Sequence, residues 1–288
     1  MTVPQQDPEA QAFAPSPQTA AKGATLLTVA ALLPPRLLTQ VRHALAGERE
    51  VLAAASWHEL ERLIKRTALR AVIIDPETNG AVDSASVVRL LTRYPSLPII
   101  AYVTLGPATF SGIAHLSRLG LEHVILHRFD DSVERFKRTI DSVGSDPLVR
   151  QVVEAMRPSL TRLPLPLAMS VQQMFDEPQR FMTALDLSTA SGMPTVRMYQ
   201  SFASAEFTSP KNLLIAARAL RAFSYLRDPG YSVSDVAQKL GYVQPRILGN
   251  HALKVFGLKP ARARRRMSEG EAVERVLQFV GGSAQPAI

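Results

Sequence analysis

Residues Ser232–Arg264 read SVSDVAQKLGYVQPRILGNHALKVFGLKPARAR. Ser232 suits a helix N-cap, because its hydroxyl can accept from a free N–H of the first turn. Val233, Val236, Ala237 and Leu240 follow at helical spacing. Gly241 can take the left-handed conformation that ends a helix and turns the chain. Pro245 fits the first turn of the next helix, where a missing N–H costs little. Ile247, Leu248, Leu253 and Phe256 then offer an apolar face to the first helix, and Arg246, Asn250 and Lys254 face outward. The stretch predicts a helix-turn-helix with a basic exit, a device that presents a polar helix face to a DNA major groove.

Charge points the same way. The chain of 288 residues has 33 Lys and Arg against 25 Asp and Glu, a formal net charge of +8. Residues 24–147 hold 14 basic and 13 acidic side chains and are nearly neutral. Residues 176–266 hold 14 basic and 6 acidic, so an excess of +8 sits in this part. A concentrated positive field is what a polyphosphate partner requires.

The pattern S-V-x-x-V-A-x-x-L-G-Y, then L-x-x-x-A-L-K-x-F-G-L-K-P and Arg264, resembles the second DNA-binding unit of the AraC/XylS family of transcription regulators. Upstream, Leu187–Pro194 (LSTASGMP), Met198, Phe202 and Thr208-Ser209-Pro210 resemble the first unit. Ser188 stands where the family usually has Ala, and Pro194 where it has Ser. The resemblance spans residues 163–267 and implies two tandem units joined by a long helix, expected over Lys211–Leu226.

The first recognition helix is expected over Pro194–Ala205. Met198 and Phe202 face its core; Thr195, Val196, Tyr199 and Gln200 point outward. Gln can pair with adenine, and Thr or Val can meet a thymine methyl. The resemblance implies base contacts at Val196, Tyr199 and Gln200, with Arg197 suited to a phosphate. The matching positions in the second unit are Arg246, Ile247 and Asn250. Arg246 is suited to guanine and Asn250 to adenine. Many family members carry Arg at the position of Asn250. Lys254, Lys259 and Arg262, with Lys211, Lys239 and Arg264–Arg266, are phosphate candidates. Leu213, Leu220 and Phe223 read as core of the linker helix; Arg218 and Arg221 are either exposed or bridge the two halves.

The front half alternates strand and helix. Strands are expected at Ala24–Ala30, Glu50–Ala55, Ala71–Asp75, Leu97–Val103 and His123–Leu126. Helices are expected at Arg36–Ala46, Trp57–Thr67, Ser84–Tyr94, Ala108–Leu119 and Ser132–Val143. Five βα units of this length predict a doubly wound, five-stranded parallel sheet. The pattern resembles the receiver domains of two-component response regulators. That resemblance implies a phosphoacceptor at Asp75 and a switch hydroxyl at Thr104. Yet the first strand lacks the acidic pair that would hold Mg²⁺, and His127 stands where the family has Lys. The sequence therefore favours a receiver-like domain without phosphotransfer, in which Asp75 caps a turn before Pro76.

The expected organisation is a disordered arm (1–23), the receiver-like domain (24–144), a linker (145–166) whose prolines flank a helix at Leu148–Met156, the all-α DNA-binding domain (167–267), and a C-terminal helix, Glu271–Val280, with a tail (268–288). The chain has no cysteine, which excludes disulfide and thiolate metal sites. No glycine-rich phosphate loop follows the first strand, and the six histidines show no ligand spacing beyond His123 and His127, which are too far apart in a strand. No cofactor or enzymatic activity is expected, and no secretory or membrane-spanning segment is visible. The reading is a cytoplasmic DNA-binding transcription regulator whose partner is double-stranded DNA, with a homodimer through the N-terminal domain and a small-molecule or protein effector as further partners. Its rivals are a phosphorylation-controlled regulator acting through Asp75 and a basic protein-interaction module.

Overall fold

The structure, a computed structural model, describes residues 27–78, 81–143 and 146–281. The arm expected at 1–23 and the tail beyond 281 lie outside the described residues. The chain forms two compact units: residues 27–143 with Asp228–Tyr231, and residues 146–227 with 232–281. No described helix is long and apolar enough to cross a membrane.

The first unit is built on β1 (Leu27–Leu32), β2 (Arg49–Ala53), β3 (Leu69–Ile74), β6 (Ile99–Val103) and β7 (His123–Leu126), all parallel, in the order β2-β1-β3-β6-β7. Between β3 and β6 lies a two-stranded hairpin, β4 (Glu77–Thr78) and β5 (Ala81–Val82). With the hairpin set aside, the order is 2-1-3-4-5, a doubly wound arrangement whose switch point falls between β1 and β3. The crossovers are α1 (Pro35–Ala44), α2 (Trp57–Arg66), α3 (Ser84–Arg93) and α4 (Pro107–Arg118), and α5 (Val133–Val143) follows β7. β3 and β6 are nearly continuous apolar runs and are almost wholly buried, as strands covered on both faces must be. Leu37 and Val41 from α1 and Phe136 and Ile140 from α5 pack on Val29, Ala71, Ile73 and Ile100. Asp228–Tyr231 completes this unit. The Asp228 carboxylate accepts from the Ser96 amide at 3.1 Å and its hydroxyl at 2.5 Å, and Gly230 N donates to Arg93 O at 2.8 Å.

The second unit is all helical: α6 (Pro147–Ala155), α7 (Arg157–Leu160), α8 (Leu165–Asp176), a 3-10 turn (Pro178–Arg180), α9 (Ala184–Ala190), α10 (Thr195–Ser204), α11 (Pro210–Arg227), α12 (Val233–Lys239), α13 (Pro245–Phe256), α14 (Pro260–Arg266) and α15 (Glu269–Val280). α11 is its axis. Every residue from Leu213 to Leu220 is buried, and α6, α8, α9, α12, α13, α14 and α15 all pack against it. Such all-round burial needs apolar and small residues on every face, and LLIAARALRAFSYL supplies them.

Two stretches differ from the sequence expectation. Residues 146–166, expected as a linker around a helix at Leu148–Met156, form α6 and α7 and enter α8, and Leu148, Val149, Val152, Met156, Leu160 and Leu163 lie in the helical core. Their prolines occupy the first two positions of helices rather than breaking them: Pro147 in α6, Pro158 in α7, Pro166 in α8. The C-terminal helix, expected outside the DNA-binding domain, buries Ala272, Val276 and Val280 in the same core.

Leu160→Ala is expected to lower the stability of the helical unit by about 2–5 kcal/mol, the usual cost of a buried Leu truncation. Thermal or urea denaturation measures it; a change within about 0.5 kcal/mol, as at an exposed position, would return this segment to the role of linker.

Candidate nucleic-acid interface

The helical unit contains one local design twice. Thr183 caps α9 by accepting from the Asp186 amide, and Asp186 returns the bond to the Thr183 amide. Ser232 and Asp235 make the same reciprocal capping box on α12. Nine residues after each cap stands a glycine with positive φ, Gly192 at 62° and Gly241 at 73°, which turns the chain toward the second helix. α9–α10 and α12–α13 are thus two helix-turn-helix units, joined by α11.

In the first unit Met198 and Phe202 are buried, while Thr195, Val196, Arg197, Tyr199 and Gln200 are exposed. Val196 is 71% and Tyr199 43% accessible. The two departures from the family pattern are accommodated. Ser188 is buried, and its hydroxyl donates to Met193 O at 2.5 Å, closing the turn that Ala would leave without this bond. Pro194 takes the N-cap position of α10 without a side-chain cap, its ring fixing φ at −55°.

In the second unit Leu248, His251, Ala252, Val255 and Phe256 face inward, and Arg246 and Asn250 are exposed, with Ile247 half-buried between them. Pro245 is the first residue of α13, as its sequence position predicts. Leu253, expected in the packing face, is 48% accessible; the interior is filled by His251, whose Nδ1 lies 2.9 Å from the Tyr242 hydroxyl.

The cationic candidates separate into two kinds. Lys259, Arg262 and Arg264–Arg266 are exposed on or beside α14. Lys254 is exposed, but its ammonium donates to Asn212 Oδ1 at 3.1 Å and lies over the Phe279 ring. Lys239, expected at a phosphate, is 3% accessible, with its ammonium 4.6 Å from the Tyr225 ring centroid. Its aliphatic stem and an aromatic partner draw it inward. Arg221 bridges to Asp146 at 2.7 Å and lies over Tyr225, fastening α11 to the start of α6.

Arg218 is 1% accessible. Its Nη1 donates to Leu240 O at 3.1 Å, at the end of α12, and its Nη2 to Phe181 O at 3.0 Å, just before α9. The guanidinium carbon lies 5.3 Å from the Tyr242 ring centroid. Burial lowers the Arg218 pKa, opposed by Tyr242 and Asp186; burial raises that of Tyr242, opposed by Arg218. The arginine therefore bridges the two helix-turn-helix units from the helix between them.

At the switch point of the sheet unit, Asp75 follows β3. Its carboxylate accepts from the Glu77 amide at 3.0 Å, a turn-capping bond. Burial raises its pKa, a shift that the hydrogen bond opposes. Thr104 is exposed. The Glu77 carboxylate accepts from Thr109 Oγ1 at 2.7 Å. His127 is held 2.8 Å from Asp131 Oδ2 and 3.0 Å from the Tyr102 hydroxyl. Among the described residues no three His, Asp or Glu side chains gather where a metal ion could sit. The geometry favours the turn-capping role of Asp75.

The family model described as "Helix-turn-helix domain" matches residues 187–266. These residues form a helix-turn-helix domain of the AraC type. The AraC-type domain runs from the middle of α9 to the end of α14, so it takes in α10, α11 and α13 whole. No curated protein matches the chain. Among solved structures the chain is similar to the chemotaxis response regulator CheY4 of Vibrio cholerae, at 19% identity over 41% of this chain and 99% of that one, with a TM-score of 0.35. It is also similar to full-length FixJ from B. japonicum, at 11% identity over 63% of this chain and 89% of that one, with a TM-score of 0.38. The receiver-like character of the N-terminal unit rests on its own strand order, given above.

With Asp75 engaged in a turn and, among the described residues, no metal-holding cluster around it, incubation with a low-molecular-weight phosphodonor and Mg²⁺ is expected to leave the intact mass unchanged. A phosphorylated species that Asp75→Asn abolishes would contradict this reading.

Proposed function

We propose that the chain is a sequence-specific DNA-binding transcription regulator whose two helix-turn-helix units enter successive major-groove segments. The match to an AraC-type domain supports DNA binding and transcription regulation. The observation that carries the finer reading is the repeated unit. Each copy presents a solvent-facing helix surface, and both copies pack on α11.

The roles follow from side-chain chemistry. Gln200 pairs with adenine, Val196 and Thr195 meet thymine methyls, and Tyr199 lies along the groove wall. Arg197 neutralises a phosphate. Arg246 forks onto guanine and Asn250 onto adenine, with Ile247 closing the gap. Lys259, Arg262 and Arg264–Arg266 hold the backbone. Lys254 donates to Asn212 with one N–H and keeps others for a phosphate. The exposure of Val196 fits this assignment, since a valine on a protein–DNA contact face is covered on binding. Binding DNA places the chain in the cytoplasm and gives it a regulatory rather than an enzymatic task. The receiver-like unit serves dimerisation or effector contact without phosphotransfer, and a dimer would read two such sites.

Gln200→Ala and Arg246→Ala are each expected to relax base preference at their own positions by about 1–3 kcal/mol. Arg262→Ala is expected to weaken binding to specific and random duplexes alike and to reduce the slope of log K against log salt by about 1. Anisotropy titrations on specific and scrambled duplexes measure both. Equal losses on the two duplexes for all three variants would remove the base-reading roles.

A further inference from the structure

We infer that Arg218 is the positioning residue that sets the spacing between the two DNA half-elements the chain accepts; the inference rests on the two-unit reading above. Three observations converge. Arg218 is buried at the centre of α11, and its side chain touches backbone of both units rather than of one. The two carbonyls it holds lie at defined places, Leu240 at the turn that launches α13 and Phe181 at the segment that enters the α9–α10 unit. The same point is closed by further contacts: the Met182 sulfur lies beside the guanidinium, and the Tyr242 ring centroid is 5.3 Å from its carbon.

The physical consequence follows from the guanidinium itself. It is planar and presents its N–H donors in a fixed fork, so two carbonyls bound by different arms are held at a fixed separation and angle. Leu240 ends α12, which packs on α13, and Phe181 leads into α9, which packs on α10, so each recognition helix is tied to one of the two carbonyls. Fixing the two carbonyls fixes the two recognition helices. On DNA, where one helical turn is about 10 base pairs, a change of two or three base pairs between half-elements rotates one of them away from its helix. The energy that holds the units rigid thereby becomes selectivity for spacing. Arg218 touches no base in this account, and its effect is on spacing rather than on which bases are preferred.

The test uses the full-length protein and duplexes with both half-elements separated by the selected spacer, or by that spacer lengthened by one, two, three or five base pairs. The wild-type protein is expected to lose about tenfold or more in affinity at two or three added base pairs. Arg218→Met, and Arg218→Lys, which keeps the charge but not the fork, are expected to flatten that dependence to less than about threefold while leaving binding to either half-element alone within about twofold. Since the chain has no cysteine, spin labels on Ala203→Cys and Leu253→Cys report the separation of α10 and α13 without DNA. One narrow distance is expected with Arg218, and a broadened distribution in both Arg218 variants. Folded variants with the wild-type spacing profile and an unbroadened distance would overturn the inference. So would the loss of folding in both variants, which would make Arg218 a stability element only. A wild-type protein with no base preference would overturn the two-unit reading as well, whereas spacing unaffected by Arg218 in a protein that does select bases overturns this inference alone.

Discussion

A buried guanidinium is costly, because its charge leaves water and its donors must be used inside. Arg218 meets the cost with two backbone carbonyls and an aromatic face. Those partners come from both helix-turn-helix units, so the arrangement is stable only when α9, α11 and α12 stand in one relation. The neighbouring contacts repeat the theme. Arg221 and Lys239 turn inward to Tyr225, and Arg221 continues to Asp146. These cations hold the helices together, whereas those on α14 and on the outer faces of α10 and α13 are exposed.

The N-terminal unit shows how little its fold asks of the polar residues at the strand ends. Its sheet requires only apolar strands covered by helices, and β1, β3 and β6 provide them. Phosphoryl transfer would require a cluster of carboxylates around a metal, each costly to hold near the others. Here Asp75 is engaged in a turn, Glu77 binds Thr109, and His127 is tied to Asp131. The Asp131 carboxylate is partly desolvated, which raises its pKa, yet bonds from Tyr102, the Arg128 backbone and His127 hold it below the ordinary range. Asp75, Glu77, His127 and Asp131 each have an internal partner, which suits a structural role.

Much of this was legible in the sequence where the signal is local. Ser232, Gly241 and Pro245 name their own positions in a helix-turn-helix because cap, left-handed turn and first-turn proline are properties of one residue each. The strands showed as apolar runs, and all five were placed within a few residues of their ends. What was hidden depends on distant partners. Prolines 147, 158 and 166 carry the same signal whether they break a chain or begin a helix, and only the burial of Val152, Leu160 and Leu163 decides between them. Lys239 and Leu253 exchanged their expected places because Tyr225 lies beside one and His251 fills the room meant for the other. Thr183, the cap of the first unit, could have been found from the second: the threonine, aspartate and glycine at 183, 186 and 192 repeat the spacing of 232, 235 and 241. The β4–β5 hairpin, two residues on each side, is too short to carry a period at all.

The function proposed for both helix-turn-helix units requires that both exposed helix faces read DNA. The most direct measurement is selection from a random duplex library by the purified full-length protein at physiological salt, followed by sequencing of the bound pool. Two conserved half-elements about one helical turn apart are the predicted result. A bound pool with no enriched sequence, retained only at low salt, would contradict it and leave a basic surface that binds any polyanion.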